Sequence, residues 1–355
     1  MRKTAVYRDA LFLEHQPGFS HPESPERLRV IYDALDQENI AEKFIFPRFD
    51  RVSRDVLWLN HTPALVQRVA ATQGQSHEYL DPDTQTSPRS YDAACLAAGA
   101  LIDALTRIDQ GEIDNAFCLV RPPGHHAEQD ESRGFCLFNN VAIAAHWAMQ
   151  ELGLRRIMIL DWDLHHGNGT QHSFYETDKI LYLSSHLYPY YPGTGAVLET
   201  GKGIGAGYTI NIPLPGGEGD MEFARLYNEL AVPLARLYQP ELILVSCGFD
   251  VCLGDPLGSM RVTPAGFAWM TRKIVKVAEE FCDGKLLVTL EGGYDLTAMR
   301  DGSLAVLAEL CGEKLDCGYP VNLSAAQAEQ FAASKAPCPP LEQALQISRS
   351  YWPQL

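Results

Sequence analysis

Residues 156–171 read RIMILDWDLHHGNGTQ, a short apolar run that breaks off abruptly into aspartates, histidines and glycines. An apolar run of this length bounded by turn residues reads as a strand buried on both faces, and the polar cluster behind it as the loop leaving its carboxyl end. Five further runs have the same character: AFCLV (116–120), ILYLS (180–184), YTINI (208–212), LILVS (242–246) and LLVTL (286–290). Over 91–108, 139–152, 221–238 and 264–282, apolar residues return at three- and four-residue steps, which predicts helices. Strands alternating with helices predict an α/β fold, a three-layer sandwich around a central, mostly parallel sheet. No repeat, low-complexity tract or Pro/Gly/Ser-rich linker divides the 355 residues. A single domain over 1–355 is therefore expected, with 315–355 a peripheral C-terminal extension.

Lys and Arg total 29 against 45 Asp and Glu, a formal charge of −16. That balance argues against a nucleic-acid partner, which calls for a basic patch, and suits either a cationic partner or simple solubility. No run approaches 18 apolar residues and the first residues lack the pattern of a secretion signal, so no membrane association and a cytoplasmic location are expected. The nine cysteines are odd in number and form no CxxC pair, which reads as buried reduced thiols.

Open parallel sheets bind ligands outside the carboxyl ends of their strands. The residues there are RPPGHH (121–126), DWDLHHGNGTQ (161–171), SSH (184–186), CGFD (247–250) and EGGYD (291–295). One such His or Asp alone reads as a turn or cap residue; several clusters on one sheet edge read as a site. Asp163 and His165 are two residues apart, so in extended backbone they project to the same side, and Asp250 can complete a set of three from another strand. Two carboxylates and an imidazole suit Zn²⁺ with an open fourth position, although Fe²⁺, Co²⁺ or Mn²⁺ accept the same ligands. His125 and His126 follow a rigid Pro-Pro-Gly turn and suit proton transfer near neutrality. Asp161 is a natural orienting carboxylate for one ring and Asn168 a neutral partner for the other. Tyr294, after two glycines, can donate a hydrogen bond to a developing oxyanion. Phe135, Tyr190 and Tyr191, beside Gly134, can wall a narrow channel, or equally belong to the core.

Together RPPGHHAEQDESRGFCLFNN, LDWDLHHGNGTQ, SSHLYPYYPGTG, SCGFDVCLGDPLG and LEGGYDL resemble the zinc-dependent histone deacetylase family, in order from HPESPERL near residue 21 to about residue 310. Trp162 and Asn168, in the form DWDxHHGNG, resemble its class II branch, which with the bacterial deacetylase and acetylpolyamine amidohydrolase members is the expected placement. The resemblance implies an arginase/deacetylase-like sandwich and a hydrolase releasing acetate from acyl-amines. It implies one Zn²⁺ per chain on Asp163, His165 and Asp250. His126 is implied as general base and acid, His125 as its electrostatic partner, Asp161 as an orienting carboxylate, and Tyr294 as the group that polarises the acyl carbonyl. Phe135 and Tyr191 match the two aromatic positions of the acyl-lysine tunnel, where Tyr191 departs from the usual Phe. The resemblance also implies a K⁺ site around Asp161, Asp163, His165 and Ser184, with Ser185 beside it.

Three other readings differ at identifiable residues. A two-manganese ureohydrolase usually repeats Asp two residues after the later ligand, where this chain has Cys252. Polyamine-selective relatives often carry an acidic gatekeeper where this chain has Leu257, while Asp81 and Asp83 can attract a cation, hold a peptide at the tunnel rim, or start a helix. A non-catalytic acyl-lysine binding module ranks last because every catalytic position is intact. A small-molecule or peptide acyl-amine is the expected partner, and a homo-oligomer stays open.

Overall fold

The computed structural model describes residues 2–355. Seven of its nine strands form one sheet and the other two a hairpin. In chain order they are β1 (Thr4–Tyr7), β2 (Glu78–Asp81), β3 (Thr84–Thr86), β4 (Asn115–Cys118), β5 (Ile157–Asp161), β6 (Ile180–Leu187), β7 (Thr209–Leu214), β8 (Leu242–Cys247) and β9 (Leu286–Leu290). The large sheet has the order β1-β4-β9-β8-β5-β6-β7 and every pairing in it is parallel. β4, β5, β8 and β9 are buried at every residue, which is why they read as unbroken apolar runs.

Helices cover both faces. The helices Ser90–Asp109 and Asn140–Glu151 pack together on one side, and the helices Glu26–Leu35, Leu296–Cys311 and Pro264–Phe281 pack in succession on the other. The three-layer α/β sandwich expected from the strand and helix pattern is thus the observed one. Local chemistry sets several helix ends close to the site. The Asn139 side chain caps Asn140–Glu151 by accepting from the Ala142 amide (3.0 Å), and the Asp295 carboxylate caps Leu296–Cys311 by accepting from Ala298 (2.8 Å).

Two expectations need revision. Residues 221–238 are not one uniform helix, because a π-helical turn, Tyr227–Ala231, separates Asp220–Leu226 from Val232–Tyr238. Pro233 explains the break: its ring has no N–H to give and crowds the carbonyl four residues earlier. The strand TAVY at 4–7 was not among the expected runs, yet it forms the edge beside β4. Residues 315–355 contribute the helices Ala325–Ala332 and Pro339–Ser348. The second lies along the opposite edge strand β7, with Leu341 and Leu345 buried in the main hydrophobic core. No helix among the described residues is long and apolar enough to cross a membrane.

Candidate active site

The loops after β4, β5, β8 and β9 leave adjacent central strands from the same end of the sheet, so four chemically rich segments meet. Asp163, His165 and Asp250 present ligand atoms within 4.8 Å of one another, and all three side chains are buried. Backbone amides fix them: Gly292 N–H donates to Asp163 Oδ2 (2.7 Å), His165 N–H to Asp163 Oδ1 (2.9 Å), and Leu164 N–H to Asp250 Oδ1 (2.9 Å). His165 Nδ1 faces both carboxylates, 3.1 Å from Asp163 Oδ1 and 3.2 Å from Asp250 Oδ2. Asp250 Oδ2 is buried without a hydrogen-bond partner. Burial and the facing Asp163 carboxylate push the Asp250 carboxyl above its ordinary range. An orphaned oxygen, a second buried carboxylate and a convergent imidazole make a donor set that fits a divalent cation such as Zn²⁺. Among the described residues no other three His, Cys, Asp or Glu side chains converge in this way.

Gly292 shows how tightly the floor is built. A Cβ on it would lie 2.2 Å from Asp250 Oδ2 and 2.6 Å from Asp163 Oδ2, so only a residue without a side chain lets the β9 loop close over the triad.

The tandem histidines lie beside this floor with their rings 4.0 Å apart. His125 Nδ1 is 3.1 Å from Asp161 Oδ2, which also accepts from the Tyr182 hydroxyl (3.0 Å). Burial works against a charged His125, but Asp163 and Asp161 outweigh it and raise the ring to about 10. His126 Nδ1 instead faces the neutral Asn168 Oδ1 at 2.8 Å. Burial, reinforced by His125 and His165, holds His126 well below its ordinary value. Two adjacent rings are thereby driven apart in protonation, one charged and one neutral with a free nitrogen.

A cavity of about 190 Å³ leads to this floor, bounded by His125, His126, Gly134, Phe135, His165, Tyr190, Tyr191, Leu257, Gly292 and Tyr294, with Asp83 and Pro123. Tyr191 meets His126 edge-on (5.0 Å between centroids), and Phe135 meets Tyr294 edge-on (6.0 Å). Gly134 and Phe135 both have positive φ, 57° and 66°. A Cβ on Gly134 would lie 2.5 Å from His126 Cδ2, so the wall is drawn against the His126 ring as closely as glycine permits. The β2–β3 hairpin enforces this position: Asp83 Oδ1 accepts from Gly134 N–H (3.0 Å) and Thr84 Oγ1 from Phe135 N–H (3.1 Å).

The expected residues therefore fall into place unevenly. The triad, the tandem histidines, Asp161, Asn168, Tyr294 and the wall residues Gly134, Phe135, Tyr191 and Leu257 come together. Asp83 lines the cavity, whereas Asp81 does not reach it and uses Oδ1 to accept from the Asp83 amide (2.8 Å). Neither starts a helix; they end β2 and form the hairpin turn. Ser184 pairs in register with Asp161, but its hydroxyl engages His186 Nδ1 (2.9 Å). Ser185, the next residue along β6, projects to the opposite face of the sheet.

Other residues support these groups in ways that no local pattern reveals. Buried Glu291 Oε2 accepts from the Gly124 (2.6 Å) and His125 (3.1 Å) amides, holding the turn that carries both histidines. Arg27 donates to the carbonyls of Gly293 (2.6 Å) and Glu291, and pairs with Glu23 (3.0 Å), which also binds Arg121. All three charged side chains are fully buried. Glu23 and Arg27 stand four apart in HPESPERL, but nothing near them in sequence reveals that they tie the β4 and β9 loops together.

Residues 21–310 match the family model described as histone deacetylase domain. The chain is 40% identical over 305 residues to a probable deacetylase of Archaeoglobus fulgidus, covering 85% of this chain and 84% of that protein. It is 38% identical over 361 residues to histone deacetylase 15 of Arabidopsis thaliana, covering 99% of this chain and 63% of that one. The chain spans about half the length of several other eukaryotic relatives it matches. A solved structure of the HDA15 HD domain superimposes with a TM-score of 0.88 at 36% identity, covering 99% of this chain and 96% of that one.

Proposed function

Since this chain belongs to the histone deacetylase family, we propose that it is a zinc-dependent amidohydrolase that removes acetyl, or another short acyl group, from the side-chain amine of lysine in a peptide. The observation that carries this reading is the buried Asp163–His165–Asp250 triad at the end of an aromatic-walled cavity flanked by His126 and Tyr294. When bound, the ion supplies Lewis-acid polarisation of the acyl carbonyl and makes a water more acidic.

The chain's own groups do the rest. Phe135 and Tyr191 line an aliphatic stem and exclude water, so that hydrogen bonds at the floor act in a low dielectric. His126, neutral and held through Nδ1, takes a proton from water at Nε2 as the C–O bond forms and gives it to the departing nitrogen as the C–N bond breaks. Charged His125 steadies the negative charge that builds up beside it, and the Tyr294 hydroxyl donates to the same oxygen. The balance is amide plus water to acetate plus an ammonium group.

The wall favours acyl-lysine over a polyamine. Leu257 offers a second cation no carboxylate, and Asp83 Oδ1 is already engaged by Gly134 and Thr84. We include a structural K⁺ near Asp161 and Ser184 on the strength of family resemblance. The nine unpaired, buried thiols support a reducing, cytoplasmic setting. Hydrolysis of an acetyl-lysine peptide and of N-acetylputrescine, compared under one set of conditions with His126→Ala as control, tests the reading. Faster turnover of the peptide supports it, faster turnover of the polyamine replaces the substrate, and no turnover of either by zinc-loaded protein rejects it.

A further inference from the structure

Asn168 opens the short helix Asn168–Phe174, and its amide has three partners. Oδ1 lies 2.8 Å from His126 Nδ1, while Nδ2 reaches the His126 carbonyl (3.2 Å) and Glu128 Oε1. A carbonyl and a carboxylate only accept, so the NH₂ end must face them and the oxygen end must face the ring. An acceptor opposite Nδ1 requires the proton there, which leaves the lone pair on Nε2. Glu128 is held in turn from outside: His172 Nδ1 lies 2.9 and 3.0 Å from its two oxygens. The His172 side chain is half exposed, whereas that of Glu128 is only 15% exposed.

An amide has two unlike ends. Turned over, Asn168 would present its NH₂ to Nδ1 and select the opposite tautomer, with a hydrogen on the nitrogen that has to take one. The His126 carbonyl resists that rotation weakly; a charge-assisted bond to Glu128 resists it more strongly. We propose that Glu128, clamped by His172, is a positioning residue that locks the Asn168 amide and thereby sets the tautomer of His126. Burial pushes the Glu128 carboxyl up, but the bonds from His172 and Asn168 bring it below the ordinary value, consistent with an anion doing the clamping. The consequence for turnover rests on the deacetylase reading above, whereas the tautomer does not.

Asn168→Asp separates this role from mere support, because a carboxylate has two equivalent oxygens and needs no lock. With an acetyl-lysine peptide, Glu128→Ala is expected to lower kcat about ten- to hundredfold with KM within about twofold. Glu128→Gln, which keeps an acceptor, should stay within about threefold, and Glu128→Ala in the Asn168→Asp background should cost less than about threefold. Equal losses in both backgrounds, or no loss with Asn168 present, overturn the proposal. If Glu128→Ala does not fold, His172→Ala is read in the same two backgrounds, with about a threefold loss expected in the first and none in the second. Histidine-selective ¹⁵N spectra supply a readout independent of turnover. His126 should carry its proton on Nδ1 in the parent and shift towards Nε2–H in the Glu128 or His172 variant, and an unchanged tautomer overturns the proposal even in a protein that hydrolyses no acyl amide.

Discussion

Gly134→Ala should impair catalysis far more than it impairs folding, and both effects can be worked from the backbone. At φ 57° an added Cβ costs about 1–2 kcal/mol of left-handed strain. The same atom would meet His126 Cδ2 at 2.5 Å, where ordinary contacts begin at 3.4 Å, so the ring must retreat by about 0.9 Å. The loop cannot retreat instead without breaking the Gly134 and Phe135 amide bonds to the β2–β3 hairpin. A misplacement of about 1 Å at a reacting group costs on the order of 10²-fold in rate. The expected outcome is a kcat lowered about a hundredfold with a melting midpoint only a few degrees below the parent. Gly74→Ala is the matched control, since φ is 78° there and nothing lies within 4 Å. It should lose similar stability and no activity. A Gly134→Ala enzyme within threefold of parental kcat would refute the claim that this wall sets the position of His126.

Tyr294→Phe should lower kcat about 10²- to 10³-fold and leave KM nearly unchanged, because the lost hydrogen bond strengthens only as the oxyanion forms; a matching rise in KM would assign the hydroxyl to ground-state binding. Glu23→Gln leaves two buried guanidinium groups facing a neutral amide, so chemical denaturation should show a loss of roughly 3 kcal/mol, and an unchanged midpoint would contradict the tie between the β4 and β9 loops. Burial lowers His61 to about 4. Between that value and the ordinary 6.5 the unfolded chain holds a proton that the folded chain does not, so stability is lost as pH falls through this window, on the order of 2 kcal/mol by pH 5. His146, lowered to about 4 for the same reason, adds to the loss. His61→Asn should flatten the urea-midpoint profile between pH 7 and 5, and an unaltered slope counts against the assignment.

What could be read from the chain alone divides by distance. Buried strands such as LILVS and LLVTL announce themselves because every residue in them is covered on both faces, and the residues at their ends inherit their places from the strand itself. Asp163 and His165 are therefore legible as a pair, and Asp250 as a partner from the neighbouring strand of the sheet. β1 was missed because TAVY is too short to show a period. The hairpin escaped notice because Glu78–Asp81 and Thr84–Thr86 are mostly polar, although Asp83 and Thr84 hold the wall of the cavity. The bonds from Arg121 to Glu23 and from Arg27 to the Glu291 and Gly293 carbonyls join residues 98 to 266 positions apart, and Glu291 reaches Gly124 across 167, which no local pattern encodes. The tandem histidines were plain, but the lock on one of them runs through Glu128 and His172, an ordinary loop residue and an ordinary helix residue by sequence.

Zinc titration of metal-stripped protein, with acetyl-lysine peptide hydrolysis read at each addition, tests the account at its centre. Activity should rise linearly and level off at one equivalent per chain, and Asp250→Asn should neither retain the ion through gel filtration nor recover turnover. A plateau at two equivalents, or full activity in Asp250→Asn, would contradict a single ion held by Asp163, His165 and Asp250.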